Sequence, residues 1–507
     1  MSARSTSDAG VTRAAIEGVG KGRISLQQWL KGLAFAAAVL LLGGWLLTNG
    51  SQPPPAQRAL QSFTQSTLAF VRTGDVAVYR PPLVSSVAII LSGDSGWGGV
   101  SDRVAQRLAG EGVLVLGVDT RAYLAIVAKS KGPCHSSAAD FQTLAQLAEQ
   151  KQGLDRYHEP VVIGYSAGAS LAFLAAEEAP AAFRGAISLT FPPDVLGPAR
   201  PFCTWKAAPP QAIAGGFLYR PVPLAIPFTI VQGDADTVVP ATLAKKFAAQ
   251  IPGARYISVA GAGHGLGDWR DWWQAFADDY ERMAGVGATT DATKVDASLA
   301  DLPLIEVAGT APHPTRFAIF LSGDGGWADL DRSVAAKLAA KGLPVVGWSS
   351  LKYFWTEKPP ATAAADLARV IRAYSDKWAA DQVVLIGYSF GADTLPFMIA
   401  GLPPAERAKV AGLVSIAGST TAEFKFSTLD WFTDQQSGPP VAPALLALAP
   451  LPVLCIYGND DRGALCPTLP SGSVRDLALP GDHHIGGNFD AVIAPILALA
   501  PAVRPAG

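Results

Sequence analysis

Short apolar runs rich in β-branched residues alternate with amphipathic stretches of helical period along most of the chain. In the second half, the runs predicted to form buried strands are 317–321, 344–348, 383–386, 412–416 and 454–457. Stretches of helical periodicity lie between them, for example at 331–340 and 363–374. This alternation predicts an α/β fold in which a mainly parallel sheet is covered by helices on both faces.

The alternating pattern occurs twice because two long blocks of the chain repeat one another. The segment 91–97 (LSGDSGW) recurs at 321–327 (LSGDGGW), and the segment 163–169 (IGYSAGA) recurs at 386–392 (IGYSFGA). The order and spacing of the matching blocks persist over about 200 residues, which is far too long a period for a solenoid. The sequence therefore predicts a duplicated domain.

A stretch of small and polar residues without periodicity separates the two copies. We interpret 285–303 as a linker between a first domain at 51–284 and a second domain at 304–507. Both domains are predicted to have the same α/β fold, because each shows the alternation of strands and helices described above.

Both copies contain the pentapeptide G-x-S-x-G directly after an apolar β-run and before a helical stretch. In that context the pentapeptide is typical of a nucleophile elbow, where a strand turns sharply into a helix and exposes a serine hydroxyl. Ser166 and Ser389 are therefore the predicted nucleophiles. The pentapeptide alone is a weak signal, and a glycine-rich packing turn is the alternative.

A nucleophilic serine needs a base that is itself oriented by an acid, and in this fold the chain order is serine, acid, histidine. The first copy supplies Asp236 at the end of a β-run and His264 in a glycine loop. In the second copy, aligning the G-x-x-D and G-x-x-H patterns selects Asp461 and His484. The neighbouring His483 is the alternative base.

An oxyanion hole requires backbone N–H donors beside the nucleophile and in the loop after an early strand. The residue after each serine and the repeated S-G-D-x-G-W loop meet this description. We therefore assign Ala167 with Asp94 to the first copy, and Phe390 with Asp324 to the second. The alternative for the loop is a glycine turn kept for packing.

Acidic residues gather around the second predicted site. Asp329 and Asp393, together with Trp327, are candidate substrate-binding residues, and the carboxylates suit a cationic substrate group. A solvated acidic rim is the alternative interpretation. In the first copy, Ser170 stands at the position of Asp393.

The N-terminal 50 residues have the pattern of an export segment. Basic residues predominate before an apolar run at 32–47, which is typical of a signal anchor or a cleaved signal peptide. We predict an uncleaved inner-membrane anchor preceded by a short cytoplasmic tail. A cleaved signal peptide and a buried helix are the alternatives, and either export hypothesis places the domains in the periplasm.

The chain has four cysteines, which are able to pair in an oxidising compartment. Cys455 and Cys466 flank the loop of the predicted acid, so a bond between them is the favoured disulfide. Cys134 and Cys203 lie in two separate loops of the first copy and are the candidates for a second bond. Four unpaired cysteines are the alternative, and their spacing does not favour a metal site.

Composition excludes some partners and cofactors. The 507 residues carry a formal net charge of −2, which gives no basic field to attract nucleic acid. No pattern typical of a cofactor or metal site accompanies the two predicted triads, so none is expected.

The combined motifs resemble the VirJ/AcvB bacterial virulence family within the α/β-hydrolase superfamily. The matching strings are 321–327 (LSGDGGW), 387–393 (GYSFGAD), 455–458 (CIYG) with the Cys466–Pro467 pair, and His483–His484. The resemblance implies a periplasmic serine hydrolase. For AcvB-like members it implies removal of the amino acid from aminoacylated phosphatidylglycerol, notably the lysyl form, and for VirJ-like members a link with type IV secretion.

The leading functional hypothesis is hydrolysis of an aminoacyl-phospholipid at the inner membrane. The alternatives are a general carboxylesterase or lipase, and a non-catalytic periplasmic binding module that contacts secretion-system proteins.

Overall fold

The computed structural model describes residues 60–204, 209–285, 296–311, 314–428 and 438–499. Within these ranges the predicted duplication corresponds to two large mixed sheets, one built from each copy. The predicted buried strands of the second copy are confirmed to within a few residues at their ends. The predicted membrane segment at 32–47 lies outside the described residues.

The first copy forms an eight-stranded sheet and a separate three-stranded sheet. Their strands are β1 (Thr64–Phe70), β2 (Gly74–Arg80), β3 (Ser86–Leu91), β4 (Val113–Val118), β5 (Val161–Tyr165), β6 (Gly185–Leu189), β7 (Asp194–Leu196), β8 (Gln211–Ile213), β9 (Gly216–Leu218), β10 (Phe228–Gly233) and β11 (Arg255–Val259). The large sheet has the order β1-β2-β4-β3-β5-β6-β10-β11, and β7-β9-β8 form the small one. In the large sheet the β1–β2 and β2–β4 pairings are antiparallel, and every other pairing is parallel.

The second copy repeats this sheet without the first edge strand. Its strands are β12 (Leu304–Val307), β13 (Arg316–Leu321), β14 (Val345–Trp348), β15 (Gln382–Tyr388), β16 (Val410–Ile416), β17 (Val453–Gly458) and β18 (Arg475–Leu479). Their order is β12-β14-β13-β15-β16-β17-β18, with only β12 antiparallel. The central strands of both sheets read as continuous apolar runs because both of their faces are buried.

Helices cover both faces of each sheet. Those of the first copy are α1 (Gly99–Gly110), α2 (Thr120–Val127), α3 (Ser137–Lys151), α4 (Ala167–Glu178), α5 (Ala241–Ala248) and α6 (Trp273–Ala284). Those of the second are α7 (Asp329–Ala340), α8 (Ser350–Tyr353), α9 (Pro360–Trp378), α10 (Phe390–Ala400), α11 (Pro404–Arg407), α12 (Val441–Leu446) and α13 (Ile493–Leu499). Short 3₁₀ turns occur at Pro180–Ala182, Trp269–Asp271, Ala297–Leu299, Cys466–Thr468 and Ile485–Gly487.

Each sheet separates two hydrophobic cores, one on either face. In the first copy α1 and α6 pack on one face, while α2 to α5 pack on the other. The second of these cores also includes Leu351, Trp355 and Phe426 from the second copy. The two copies therefore share buried apolar surface.

Both cysteine pairs form disulfides, Cys455–Cys466 and Cys134–Cys203, as predicted. Two disulfides are typical of an oxidising, exported compartment. Across the described ranges, no helix combines the length and apolar character needed to cross a membrane.

Candidate active site

The two predicted nucleophiles lie in elbows of nearly identical backbone geometry. Ser166 has φ 52° and ψ −119°, and Ser389 has φ 51° and ψ −119°, a conformation that side-chain-bearing residues rarely adopt. The glycine two residues after each serine permits this close turn. A Cβ atom on Gly168 or Gly391 would lie 2.4 Å from a backbone carbonyl oxygen of β3 or β13, respectively. The strand-to-helix turn therefore requires both glycines.

The structure brings the predicted residues of the first copy together. His264 Nε2 lies 3.0 Å from the Ser166 hydroxyl, and His264 Nδ1 lies 2.9 Å from Asp236. The acid follows β10 and the base follows β11, so neighbouring parallel strands deliver both groups to the edge that carries the elbow.

Asp236 is held as an anion in this arrangement. Burial alone would raise the pKa of its carboxyl group, but hydrogen bonds from His264 and from the amides of Val239 and Val238 outweigh this and lower the pKa. The amide side chain of Gln232 donates a further bond of 2.9 Å to the same carboxylate. An ionised, multiply bonded carboxylate suits the task of orienting a histidine.

The second copy repeats the arrangement with a different histidine from the one predicted. His483 Nε2 lies 2.9 Å from the Ser389 hydroxyl, and His483 Nδ1 lies 2.8 Å from Asp461. The His484 side chain is 74% exposed and faces Asp482. The prediction of His484 as the base is therefore wrong, and the alternative, His483, occupies the position.

The error has a simple cause in loop length. His264 lies five residues after Val259, the last residue of β11, whereas His483 lies four residues after Leu479, the last residue of β18. The second loop is therefore one residue shorter, and aligning the loop glycines moves the alignment one residue past the base.

A tyrosine precedes each nucleophile and supports the base. The rings of Tyr165 and His264 have centroids 5.5 Å apart, and those of Tyr388 and His483 are 5.8 Å apart. Burial raises the pKa of both tyrosines. Both tyrosines therefore stay neutral at physiological pH, and their rings pack against the histidine rings.

The repeated S-G-D-x-G-W loop forms a tight turn against each nucleophile. The turn closes with a hydrogen bond from the Gly96 amide to the Gly93 carbonyl in the first copy, and from Gly326 to Gly323 in the second. A Cβ atom built on the first glycine of either turn would lie 3.5 Å from the Cβ atom of the adjacent serine. Asp94 and Asp324 are the second residues of these turns, which is the location predicted for oxyanion donors.

In the second copy the tryptophan of the loop does not line the cavity beside Ser389. Trp327 is buried and packs on Gly347 of the neighbouring strand and edge-on against Phe320. Asp329 is the first residue of α7 and does not line the cavity beside Ser389. Neither residue therefore lines this cavity, and their role in substrate binding stays a prediction.

A cavity of about 180 Å³ opens beside Ser389. It contains the predicted oxyanion residues Asp324 and Phe390 as well as Asp393. The carboxyl group of Asp393 accepts a hydrogen bond of 2.6 Å from the Ser419 amide. Burial raises the pKa of Asp393 well above its usual range.

The rest of the cavity wall was not predicted from the sequence. It comes from the irregular segment 419–427, which follows the carboxyl end of β16 and contributes Ser419, Thr421, Glu423, Lys425, Phe426 and Ser427. This segment has neither helical nor strand periodicity. Its only signal is its position after a parallel strand, where ligands bind in such folds.

Among the described residues, no group of three or more histidine, cysteine, aspartate or glutamate side chains is arranged to hold a metal ion.

Comparison with known families decides the assignment of the chain. The model of the family described as bacterial virulence protein (VirJ) matches residues 85–191 and 315–502, together more than half of the chain. The chain belongs to the VirJ family. In the first copy the match contains the elbow of Ser166 but ends before its acid and base, whereas in the second copy it contains all three residues.

Solved structures of several hydrolases are similar to parts of this VirJ-family chain. XC6422 from Xanthomonas campestris, an α/β serine hydrolase without a lid, is 18% identical, covering 46% of this chain and 97% of its own, with a TM-score of 0.30. Est1E from Butyrivibrio proteoclasticus is 18% identical (44% and 99% covered, TM-score 0.29). An α/β serine hydrolase homologue from Coxiella burnetii is 21% identical (44% and 95% covered, TM-score 0.27). No curated protein sequence matches the chain.

Proposed function

We propose that the protein is a periplasmic serine hydrolase that cleaves aminoacyl esters, with aminoacylated phosphatidylglycerol, notably the lysyl form, as its substrate. The observation that carries the proposal is the hydrogen-bonded series Ser389–His483–Asp461, in a strained elbow that opens into an acidic cavity. We assign the main activity to this second site.

The chemistry follows from the positions of these groups. His483 takes the proton of the Ser389 hydroxyl as its oxygen attacks the ester carbonyl carbon, while Asp461 holds the Nδ1–H side of the ring. The negative oxygen of the tetrahedral intermediate accepts hydrogen bonds from the Phe390 and Asp324 amides. The intermediate collapses, His483 returns the proton to the leaving glycerol oxygen, and Ser389 carries the amino acid as an ester.

Water completes the cycle. His483 takes a proton from a water molecule that attacks the aminoacyl ester, and returns it to the serine oxygen as the amino acid leaves. The free enzyme is regenerated without a cofactor.

The size and charge of the cavity support an aminoacyl group. Its volume of about 180 Å³ is below the ~300–1,000 Å³ typical of pockets for drug-sized ligands. This favours entry of the amino acid alone, with the acyl chains left outside. Asp324 and Glu423 contribute carboxylates against the single cation of Lys425, so the lining suits an ammonium group. Asp393 adds a carboxyl group whose pKa is raised by burial.

Membrane proximity is part of the same proposal. The apolar run at 32–47 would tether the domains to the outer face of the inner membrane, where the ester group of the lipid is exposed. The two disulfides support export.

The proposal is tested by incubating the purified full chain with vesicles containing lysyl-phosphatidylglycerol and measuring free lysine. We expect release by the wild-type protein and by Ser166→Ala, and none by Ser389→Ala. Hydrolysis of a short-chain nitrophenyl ester without lysine release would instead indicate a general carboxylesterase. Absence of both activities would favour a binding module, which a crosslinked secretion-system protein would then identify.

A further inference from the structure

Helix α3 of the first copy lies between the two domains. Eleven of its fifteen residues are buried, although a helix at the surface of a domain usually buries only one face. One side packs in the core of the first copy. Its glutamines Gln142, Gln146 and Gln150 are spaced four residues apart and therefore share one face, and two of them bond to the second copy.

The first of these bonds reaches the oxyanion turn of the second site. The side-chain amide of Gln142 donates a hydrogen bond of 2.9 Å to the carbonyl oxygen of Gly325. Gly325 directly follows Asp324, the predicted donor residue, within the turn 323–326. The bond therefore ties the Gly325–Gly326 peptide of the same turn to a helix of the other domain.

The second contact holds the rim of the Ser389 cavity. Gln150 donates to the Phe426 carbonyl at 2.7 Å, and its side-chain oxygen accepts from the amide and the hydroxyl of Thr428 at 3.1 and 2.8 Å. Phe426 and Ser427 both line the cavity. The segment 419–427 has no regular secondary structure, so the bonds from Gln150 help to fix its conformation.

Further contacts fix the position of α3 relative to the second domain. Trp355 stacks on Phe426 with 5.6 Å between ring centroids, and its indole N–H donates to the Leu154 carbonyl at 2.8 Å. Lys352 pairs with Glu159 at 2.5 Å. Burial alone would raise the pKa of Glu159, but Lys352 and Arg184 outweigh it and lower the pKa, so the ion pair persists at neutral pH. The interface is therefore held within the helix at Gln142 and Gln150 and also in the segment that follows its C-terminal end.

We propose that the first domain is a structural part of the second active site, with Gln142 as a positioning residue for the oxyanion turn and Gln150 as a positioning residue for the substrate rim. This inference rests on the proposed function for its catalytic readout. It gives the first domain a role that does not depend on hydrolysis at Ser166.

The two residues act on different stages of the reaction. A hydrogen bond to the oxyanion is made only as charge develops, so displacement of the turn lowers kcat and leaves KM unchanged. The rim contacts the substrate before the reaction, so its displacement raises KM. In the first copy the residue equivalent to Gly325 is Ser95, which is exposed. Labelling of Ser166 therefore serves as an internal reference for effects on Ser389.

The test uses the full chain with Gln142→Ala, Gln150→Ala and the matched control Gln146→Leu. Gln146 is buried on the same helix face, and neither of its side-chain polar atoms has a hydrogen-bond partner among the described residues. Each variant is assayed for ester hydrolysis and for the rates at which a fluorophosphonate probe labels Ser389 and Ser166. Amide hydrogen exchange of the peptide containing 323–326 is measured in parallel.

We expect Gln142→Ala to lower kcat and Ser389 labelling about 10- to 100-fold, the effect of a small misplacement of catalytic groups. Labelling of Ser166 should not change, and exchange in the turn should rise. Gln150→Ala should raise KM, and Gln146→Leu should match the wild type. Gln142→Glu, which keeps the side-chain length but places a carboxylate against the Gly325 carbonyl, should be as impaired as Gln142→Ala or more so.

Unchanged exchange in the turn and unchanged Ser389 labelling in folded Gln142→Ala would overturn the inference. Loss of labelling at both serines would also overturn it, because it would indicate general unfolding. If the wild-type protein hydrolyses no ester, the proposed function fails. The exchange measurement then still decides whether Gln142 orders the turn.

Discussion

The two elbow sites share their hydrogen-bonding geometry but differ in the space around the serine. The histidine-to-serine distances are 3.0 and 2.9 Å, and the histidine-to-acid distances are 2.9 and 2.8 Å. At the position next to the elbow, Ser170 of the first copy donates a 2.6 Å bond to the Pro192 carbonyl, whereas Asp393 of the second lines the cavity. The serine, histidine and acid that carry out the reaction are therefore the same in both copies, whereas the residues that would select the substrate differ.

The difference arises in the segment that follows the strand after the elbow. In the first copy this segment forms the small sheet β7-β9-β8 and contains Cys203, which is bonded to Cys134. In the second copy it contains the cavity wall at 419–427 and helix α12. The elbow, acid and base are fixed by the sheet, so duplication preserved them, while the connecting segment was free to diverge.

The largest effect should come from replacing Ser389 by alanine, with Ser166→Ala as the matched comparison in the other copy. Ser389→Ala should lower hydrolysis of the lysyl ester by roughly 10⁴-fold or more, because the acyl-enzyme can no longer form. Ser166→Ala should retain most of the activity, since Ser170 stands there in place of Asp393 and Arg103 lines the cavity beside Tyr165. The measurement is lysine release with each variant. A greater loss in Ser166→Ala would assign the main site to the first copy.

The next effect distinguishes the adjacent histidines of the second site. His483→Ala should lose activity to an extent similar to Ser389→Ala, because no other base reaches the serine hydroxyl in the described structure. His484→Ala should stay within about threefold of the wild type, as expected for an exposed side chain away from the reacting groups. Steady-state kinetics of both variants checks this, and equal losses would contradict the geometry.

A smaller effect should appear at Asp393, which has no carboxylate counterpart in the first copy. Its raised pKa means that the carboxyl group is neutral at low pH and ionises as the pH rises, when it attracts an ammonium group more strongly. KM for a lysyl ester should therefore fall with rising pH relative to a norleucyl ester, which lacks the side-chain amine. Asp393→Asn should abolish this difference. A difference that persists in the variant would exclude Asp393 as its source.

The smallest effect on catalysis is expected at a buried position beneath the oxyanion loop, where Asp331 replaces Ser101 of the first copy. Burial raises the pKa of Asp331 to about 8, and one of its carboxyl oxygens has no hydrogen-bond partner among the described residues. At a pH between the unfolded and the folded pKa of Asp331, only the folded state keeps the proton on this carboxyl group. The free energy of unfolding therefore falls as the pH rises through this range. The slope is at most about 1.4 kcal/mol per pH unit.

Asp331→Asn is neutral at every pH and should lose this dependence. Denaturant unfolding at pH 5 and pH 8 should therefore show the variant gaining free energy of unfolding relative to the wild type as the pH rises, with little change in activity. A parallel pH dependence in both proteins would contradict the assignment.

The sequence predicted the parts of the fold that short-range pattern controls. The apolar runs correspond to the central strands, and the G-x-S-x-G motifs correspond to the elbows, because a strand-to-helix turn of this kind requires small residues at fixed positions. The acids were identified because each follows a strand that ends at the same edge of the sheet. The edge strands β12 and β18 were not predicted, since their exposed and partly buried positions lack a continuous apolar run.

The remaining features depend on contacts between distant segments. The loop that carries His483 is one residue shorter than its counterpart in the first copy. An alignment on the loop glycines does not detect this difference in length. Trp327 packs on Gly347 of a neighbouring strand, a contact that its place in a conspicuous motif does not reveal. The bond from Gln142 to Gly325 joins residues of different domains, and a sequence contains no local signal for such a contact.

The central claim is that Ser389 forms an aminoacyl ester during hydrolysis of the lipid. Its most direct test is acid quenching of a reaction between the full chain and lysyl-phosphatidylglycerol vesicles, followed by mass spectrometry of the peptides containing each elbow. We predict that the Ser389 peptide gains the mass of a lysyl group and that the Ser166 peptide does not. Lysine release with the lysyl group on the Ser166 peptide, or on neither peptide, would contradict the account.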